Sequence, residues 1–520
     1  MSLKKLLWLL IVMGWALFLG YRIYQYSTDQ TNDCRDIPVK IVEIDGLQFI
    51  QTGGSINDVS CLNNTPIHGI VRIKTVEDIQ RAVQYARKHA LKISIAGARH
   101  SMGGQAFAPN ALVLDMLEFN NVSLAAEKKE ITVQSGALWH DLHYFLHPHN
   151  LAIKAMQSSS IFTVGGSISV NAHGMDFRVG SVASTIKSMR IVDALGNLKT
   201  ITKADDPLLF KNILGGYGLF GIIVDATLQV TDNVMYQGIR KIMRTDQVPE
   251  YFKNVIVADP LFELFYVHLS TENRTFLKEA IVYAFKRIPD YQGAMPLLKE
   301  VERVNIRRFI FNLSKPSYFG KKIKWFAEKY LDTEEGLKAC IPFAKKSGDT
   351  PCLISRNEAM HDAVEYLRNS LRNEVDILQE YYVPVRNFMP FITDLSVILS
   401  TCPIATLNVS VRVVHREDIM LNYAPRETMF AVVLYLNQQT SEKGIARMKD
   451  LTQRIIESAL SREGTFFLPY QLYYSSEQLK KAYPMINEFF EFKKINDPDE
   501  IFTNTFYEKF RTVSFIDPLV

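Results

Sequence analysis

The spacing of apolar residues changes period repeatedly over the first half of the chain. Val76, Ile79, Val83 and Ala86 recur at helical intervals, and Thr75-Val76-Glu77-Asp78 opens that helix with a capping-box pattern. Strands are predicted at Leu91–Ile95 and Leu112–Met116, since Ile93 and Ile95 alternate with smaller residues as in a half-buried strand. A second unit follows: strand Ile131–Gln134, a turn at Gly136 and helix Ala137–Leu146. Ile186–Val192 and Leu198–Thr202 pair across the turn Ala194-Leu195-Gly196-Asn197. Asp206-Pro207 then opens a helix over Leu208–Leu214, and β-branched Ile222–Val230 reads as strand. The fold class is α+β.

Past residue 235 glycine thins out, while aromatic and charged residues become frequent. Helices are expected at Thr333–Lys345 and His361–Asn369, and strands at Glu380–Pro384, Leu407–Val414 and Met429–Leu436. The last two alternate like a sheet with one wet face. The chain divides into 1–35 (anchor and linker), 36–235 (ligand-binding domain), 236–470 (cap on the substrate side) and 471–520. This last segment, with Tyr483-Pro484 and Asp497-Pro498, is too apolar for a free tail and returns to the ligand-binding domain.

Length supports that division, because 520 residues exceed one simple core. A net charge of +4 spread along the chain, with no long Lys/Arg run, argues against nucleic acid as a partner. Lys4 and Lys5 precede an apolar run from Leu6 to Tyr21, closed by Arg22. With no small-residue cleavage site after it, this run reads as an uncleaved single-pass membrane anchor that places the body outside the cytoplasm. Cysteine leaves the compartment open. Cys34 with Cys61, and Cys340 with Cys352, fit disulfides, and five isolated thiols fit equally.

Three stretches carry candidate chemistry. In Ile93 to Gln105 a strand runs into a turn of small residues, Gly97, Ala98, Gly103 and Gly104 among them, with His100 at its tip as a potential nucleophile. Gln157 to Gly174 is rich in Ser, Thr and Gly, the hydroxyls and open backbone N–H groups that a diphosphate needs where no Lys or Arg is present. Gly216-Tyr217-Gly218-Leu219-Phe220-Gly221 matches G-x-G-x-x-G, but its helix precedes and its strand follows. A dinucleotide loop requires the reverse order, so these glycines are assigned to a close turn beneath a ligand. His140, His143, His147 and His149 read better as a hydrogen-bonded helix end than as a metal site, and no metal is expected.

Gly97-Ala98-Arg99-His100-Ser101, Gly165-Gly166 with Asn171-Ala172-His173-Gly174, and Gly218-Leu219-Phe220-Gly221 occur in the order of a known fold. From about Ile67 to Val230 the chain resembles the PCMH-type FAD domain of the vanillyl-alcohol oxidase superfamily. The tail, Tyr483-Pro484 then Asp497-Pro498 to Phe502-Thr503-Asn504, is similar to the aldonolactone and alditol oxidase branch, with decaprenylphosphoryl-ribose oxidases second. The resemblance implies a two-subdomain FAD-binding domain under an α+β substrate cap, with FAD as cofactor and His100 as the residue that bonds the flavin covalently. Arg99 stands where such members usually have glycine. Cofactor contacts are implied at Gly97, Ala98, Arg99, His100, Ser101, Gly103, Gln105, Ser158, Thr163, Gly165, Gly166, Asn171, His173, Gly174 and Ile222.

In that branch a Ser-Glu-Ile-Arg strand and a His-Trp-Gly-Lys loop supply catalysis. Val409-Ser410-Val411-Arg412 corresponds to the strand, so Arg412 is kept and Ser410 replaces glutamate, while Tyr470 falls at the lysine position. Arg412 is expected to stabilise negative charge, and Tyr470 to exchange protons if that cation lowers its pKa. The expected activity is oxidation of a CH–OH group of a small sugar-derived or lactone-like substrate. Electrons then pass to oxygen or a membrane acceptor such as a quinone. A membrane-associated dehydrogenase of a lipid-linked sugar and an inactive flavin-binding homologue are the alternative readings.

Overall fold

The computed structural model describes residues 3–27, 34–35, 39–299, 304–315, 317–331, 352–361, 371 and 373–511. The helix expected at Thr333–Lys345, the one expected at His361–Asn369 beyond His361 itself, and Cys340 fall outside them.

Three sheets build the body. The first runs Val42–Ile44, Leu47–Thr52, Gly69–Arg72, Leu112–Asp115, Ile93–Ala96. Its last three strands are parallel, because helix Val76–Lys88 crosses over from Gly69–Arg72 to Ile93–Ala96. The capping box at Thr75 and Asp78 starts that helix, and Ile79, Ala82, Val83 and Ala86 bury against the sheet. The second sheet runs Leu198–Thr202, Ile186–Val192, Ile222–Asp232, Glu130–Gln134, Val122–Ala125, all antiparallel.

The cap is one eight-stranded sheet. Its centre places Phe262–Leu269, Thr406–Val414, Met429–Gln439 and Glu374–Pro384 side by side. Leu407, Val409, Val411 and Val413 are fully buried on one face, the side covered by helices Phe388–Ser400 and Glu442–Ser461. Asn408, Ser410 and Arg412 alternate with them, so they share the opposite face. The expected polar side therefore exists, but it faces the interior of the protein.

Arg356 clamps cap to base. It is 2% exposed, and it donates to the carbonyls of Ile153 and Lys154, to Asp176 at 2.6 Å and to Tyr236 Oη at 2.8 Å. The C-terminal segment closes the circuit. Ile93 N donates to Ile501 O and Thr503 N to Ile93 O, which adds the tail to the edge of the first sheet.

Helix Leu3–Ser27 leaves the body, and Trp15, Leu17, Phe18 and Leu19 on it are exposed. Its end docks through Tyr26, whose carbonyl accepts from Asn312 and whose ring packs near Phe309. Among the described residues no helix is long and apolar enough to cross a membrane. The spanning anchor expected from the sequence therefore gains no support from the described residues.

Cys34 and Cys61 form a disulfide, with Cα atoms 5.7 Å apart. Cys352 is also disulfide-bonded, and Cys402 is free. The reading of five isolated thiols is thereby corrected.

Candidate active site

A cleft of about 390 Å³ runs between the two lower sheets and the cap, within the roughly 300–1,000 Å³ of small-molecule sites. Its lower wall is loop. Gly97, Ala98, Arg99, His100, Ser101 and Gln105 line it from the first sheet, and Ser158, Thr163, Gly165, Gly166 and His173 from the second unit. Glycine is required where these loops cross: a Cβ on Gly97 would stand 2.1 Å from Thr163 Oγ1, and one on Gly103 would stand 2.4 Å from Tyr470 O.

The His100 loop is pinned from below. Asp58, fully buried, accepts from Gly104 N, Ser60 Oγ and Asn63 Nδ2, while burial pushes its carboxyl pKa up. Arg99 takes φ +54°, the left-handed conformation in which glycine is most at ease. Its guanidinium offsets that cost by donating to Arg35 O and Asn57 O. The replacement of glycine therefore leaves the turn intact. His100 lies with its ring 4.4 Å from that of Phe162 and Nε2 3.4 Å from Arg35 Nη1.

Four predicted residues sit outside the cleft lining. Ile222 is 0% exposed in the core beside the first sheet, while its neighbours Gly221 and Ile223 line the cleft. The cause is the two-residue alternation of a strand, which turns Ile222 away. Asn171 caps a helix in the left-handed conformation, accepts from Ala183 N and lies near Tyr423 Oη. Gly174 lies against Met156 O, and Gly103 supports the loop through Gln105. Ser135 and Ser159 are not among the expected cofactor contacts, yet both line the cleft. The first lies just before the predicted turn at Gly136, and the second lies within the Ser/Thr/Gly stretch.

The upper wall comes from the cap. Arg412 and Tyr470 both line the cleft, with Asn408, Ser410 and Glu380. Tyr470 Oη donates to Glu380 Oε2 at 3.4 Å, and His173 Nε2 meets Glu380 Oε1 at 2.6 Å. The expectation that Arg412 lowers the Tyr470 pKa is overturned. Burial holds the phenol well above its ordinary value, Glu380 raises it further, and Arg412 offsets only part. Tyr470 is therefore a proton donor at neutral pH. Glu380 was read only as part of a strand, and with Glu374 and Asp376 on the same strand the sequence carried no signal that set it apart.

Of the histidines of 140–149, His140, His143 and His147 are hydrogen-bonded through their side chains, and His149 packs its ring near Phe145. His143 lies between Asn357 Oδ1 and Met156 Sδ, and burial drives its pKa down to about 3. His140 pairs with His361 at 3.0 Å. Among the described residues no group of three or more His, Cys, Asp or Glu is arranged to hold a metal.

The cleft fits a large polar cofactor. Ser135 Oγ, Ser159 Oγ, His173 Nδ1, Asn408 Oδ1 and Arg412 Nε are buried at its walls without a hydrogen-bond partner. Buried polar groups are normally satisfied, so these await a ligand. Tyr217 and Gly218, at φ +54° and +73°, line the floor after helix Pro207–Ile213 and before strand Ile222–Asp232. The G-x-G-x-x-G is thus a turn under the ligand in helix-to-strand order. Loops of this kind facing a polar strand wall define an FAD-dependent oxidoreductase.

Sequence comparison agrees. Residues 67–202 match the family described as FAD binding domain, and residues 226–510 match the family described as D-arabinono-1,4-lactone oxidase. The chain belongs to the D-arabinono-1,4-lactone oxidase family, and its cofactor is FAD. D-arabinono-1,4-lactone oxidase of Candida albicans is 30% identical over 31% of this chain and 31% of its own length. L-gulonolactone oxidase of Bos taurus is 27% identical over 30% and 35%, and cytokinin dehydrogenase 2 of Arabidopsis thaliana is 29% identical over 31% and 32%. The chain spans about a third of the length of these relatives.

Proposed function

We propose that the protein oxidises a CH–OH group of a sugar-derived polyol or lactone-like substrate, with the flavin bonded to His100. The observation that carries this reading is the meeting, in one cleft, of the Gly97–Gln105 and Ser158–Gly174 loops with Arg412 on the cap. The flavin supplies hydride acceptance. Thr163, Ser158 and the glycines at 97, 165 and 166 hold the cofactor's polar chain. Arg412 presents a guanidinium whose Nε lacks a partner, and it stabilises negative charge on the reacting oxygen. Tyr470, protonated at rest, orients the substrate hydroxyl by hydrogen bonding.

The test is anaerobic flavin bleaching by a panel of aldonolactones, polyols and polyprenyl-linked sugars. Bleaching by lactones or polyols is expected; bleaching by polyprenyl-linked sugars alone selects the lipid-linked alternative, and none by any class selects the inactive homologue. Acid precipitation tests the covalent bond: yellow colour in the pellet is expected, and colour confined to the supernatant removes it. We infer attachment of the protein to a bilayer, which the exposed apolar side chains of Met13–Tyr24 support, and with it a body outside the cytoplasm and a quinone as electron acceptor. Stopped-flow reoxidation that is fast with oxygen and absent with quinone removes the quinone.

A further inference from the structure

Glu380 is one of three carboxylates, with Asp376 and Glu358, that line the cleft among the described residues. Asp376 pairs with Lys315 at 2.8 Å and accepts from Asn437, and Glu358 accepts from the backbone N of Lys299. Glu380 is 4% exposed, with Oε1 held by His173 and Oε2 reached by Tyr470 across a long 3.4 Å contact. Strand register places it. Glu380 pairs with Val433, Val433 with Ser410, and Ser410 with His268, so four strands aim one row of side chains into the cleft.

We propose that Glu380 is the proton acceptor of the reaction, working through Tyr470, while His173 fixes its orientation. This rests on the CH–OH reading given above. A bound oxidised flavin would accept the hydride, with its two electrons, as the substrate C–H bond breaks. The substrate O–H bond breaks, and that proton moves to Tyr470 Oη. The original phenolic proton passes to Glu380 Oε2. A carbonyl forms on the substrate, Glu380 ends neutral, and Tyr470 ends as it began. Tyr470 is suited to this transfer because burial keeps it protonated, so it relays a proton and does not act as a free phenolate. His173 plays the positioning part, as an imidazole that holds a carboxylate in one orientation.

Groups facing Glu380 are His173 and Tyr423 from one side, Tyr382 on its own strand, and Tyr470 and Tyr483 from the C-terminal loops. Arg412 is the cation beside Tyr470. Each of these four tyrosines is held protonated by burial.

The experiment compares wild type, E380Q and E380D as full-length holoproteins, first checking that visible absorbance shows bound flavin in each. Anaerobic reduction by D-arabinono-1,4-lactone or L-gulono-1,4-lactone is followed across pH. E380Q is expected to slow flavin reduction by roughly 10²–10⁴-fold and to lose the limb in which rate rises with pH. E380D is expected to recover part of the rate and to restore that limb. A merely structural Glu380 predicts unchanged pH dependence in E380Q, and that result, or a rate within about twofold of wild type, overturns the proposal. Infrared difference spectra of wild type against E380Q give a readout that needs no substrate. An ionised Glu380 at neutral pH supports the proposal, and a protonated one overturns it, even where no lactone bleaches the flavin and the CH–OH reading itself has failed.

Discussion

The two walls of the cleft are built on opposite plans. The lower wall is built from two local stretches of sequence: loops of mostly small residues meet where Gly97 faces Thr163. The upper wall is assembled from strands far apart in the chain, so that Glu380, Ser410 and His268 become neighbours only through pairing. The lower wall presents mainly backbone and hydroxyl groups to the cleft, whereas the upper wall presents charged and phenolic side chains. On the function proposed above, binding and reaction separate onto different elements, and substitutions on the two walls have different signatures.

The sharpest contrast sets G97A against R412A. A Cβ on Gly97 meets Thr163 Oγ1 at 2.1 Å, so G97A is expected to purify almost without flavin, read as visible absorbance relative to protein absorbance. R412A is expected to retain its flavin and reduce it roughly 10²–10³-fold more slowly in stopped-flow bleaching. A colourless R412A, or a fully coloured and active G97A, breaks the division of labour. The walls also depend on the Arg356 clamp. Removing it with R356A leaves Asp176 as an unpaired buried charge, which costs about 3–5 kcal/mol in urea unfolding.

The acid response belongs beside the lower wall. His143 is neutral in the folded protein down to about pH 3, whereas an unfolded histidine takes up a proton near 6.5. Between those values the unfolded state binds more protons, so stability falls as pH drops. The variant His143→Asn is expected to flatten that slope in urea midpoints measured from pH 7 to 4. The smallest effect is on the upper wall at alkaline pH. Because Tyr470 stays protonated, flavin reduction in wild type is expected to show no phenolate step from pH 8 to 10. Y470F, measured in the same stopped-flow series, is expected to show none either.

How much of this was legible in the sequence follows the same division. The capping box at Thr75, the helix-to-strand order around Gly216–Gly221 and the His100 loop depend on residues within about a dozen positions of one another. Local pattern therefore reveals them. Ile222 shows where that reasoning fails by one residue, since a motif places the segment while strand alternation decides which side chain faces the ligand. Tyr470 fails in another way. Its position was readable, but the direction of its pKa is set by burial and by Glu380, which is 90 residues distant.

By itself the sequence determined the α+β class, the flavin-binding loops and the kept arginine, because glycines, hydroxyls and short-range periodicity act over a few residues. Tertiary structure alone decided that Arg99 keeps the glycine turn, that Ile222 faces away and that Glu380 joins His173 and Tyr470. Those outcomes depend on strand register and on exclusion of water, and both arise only when distant segments pack together.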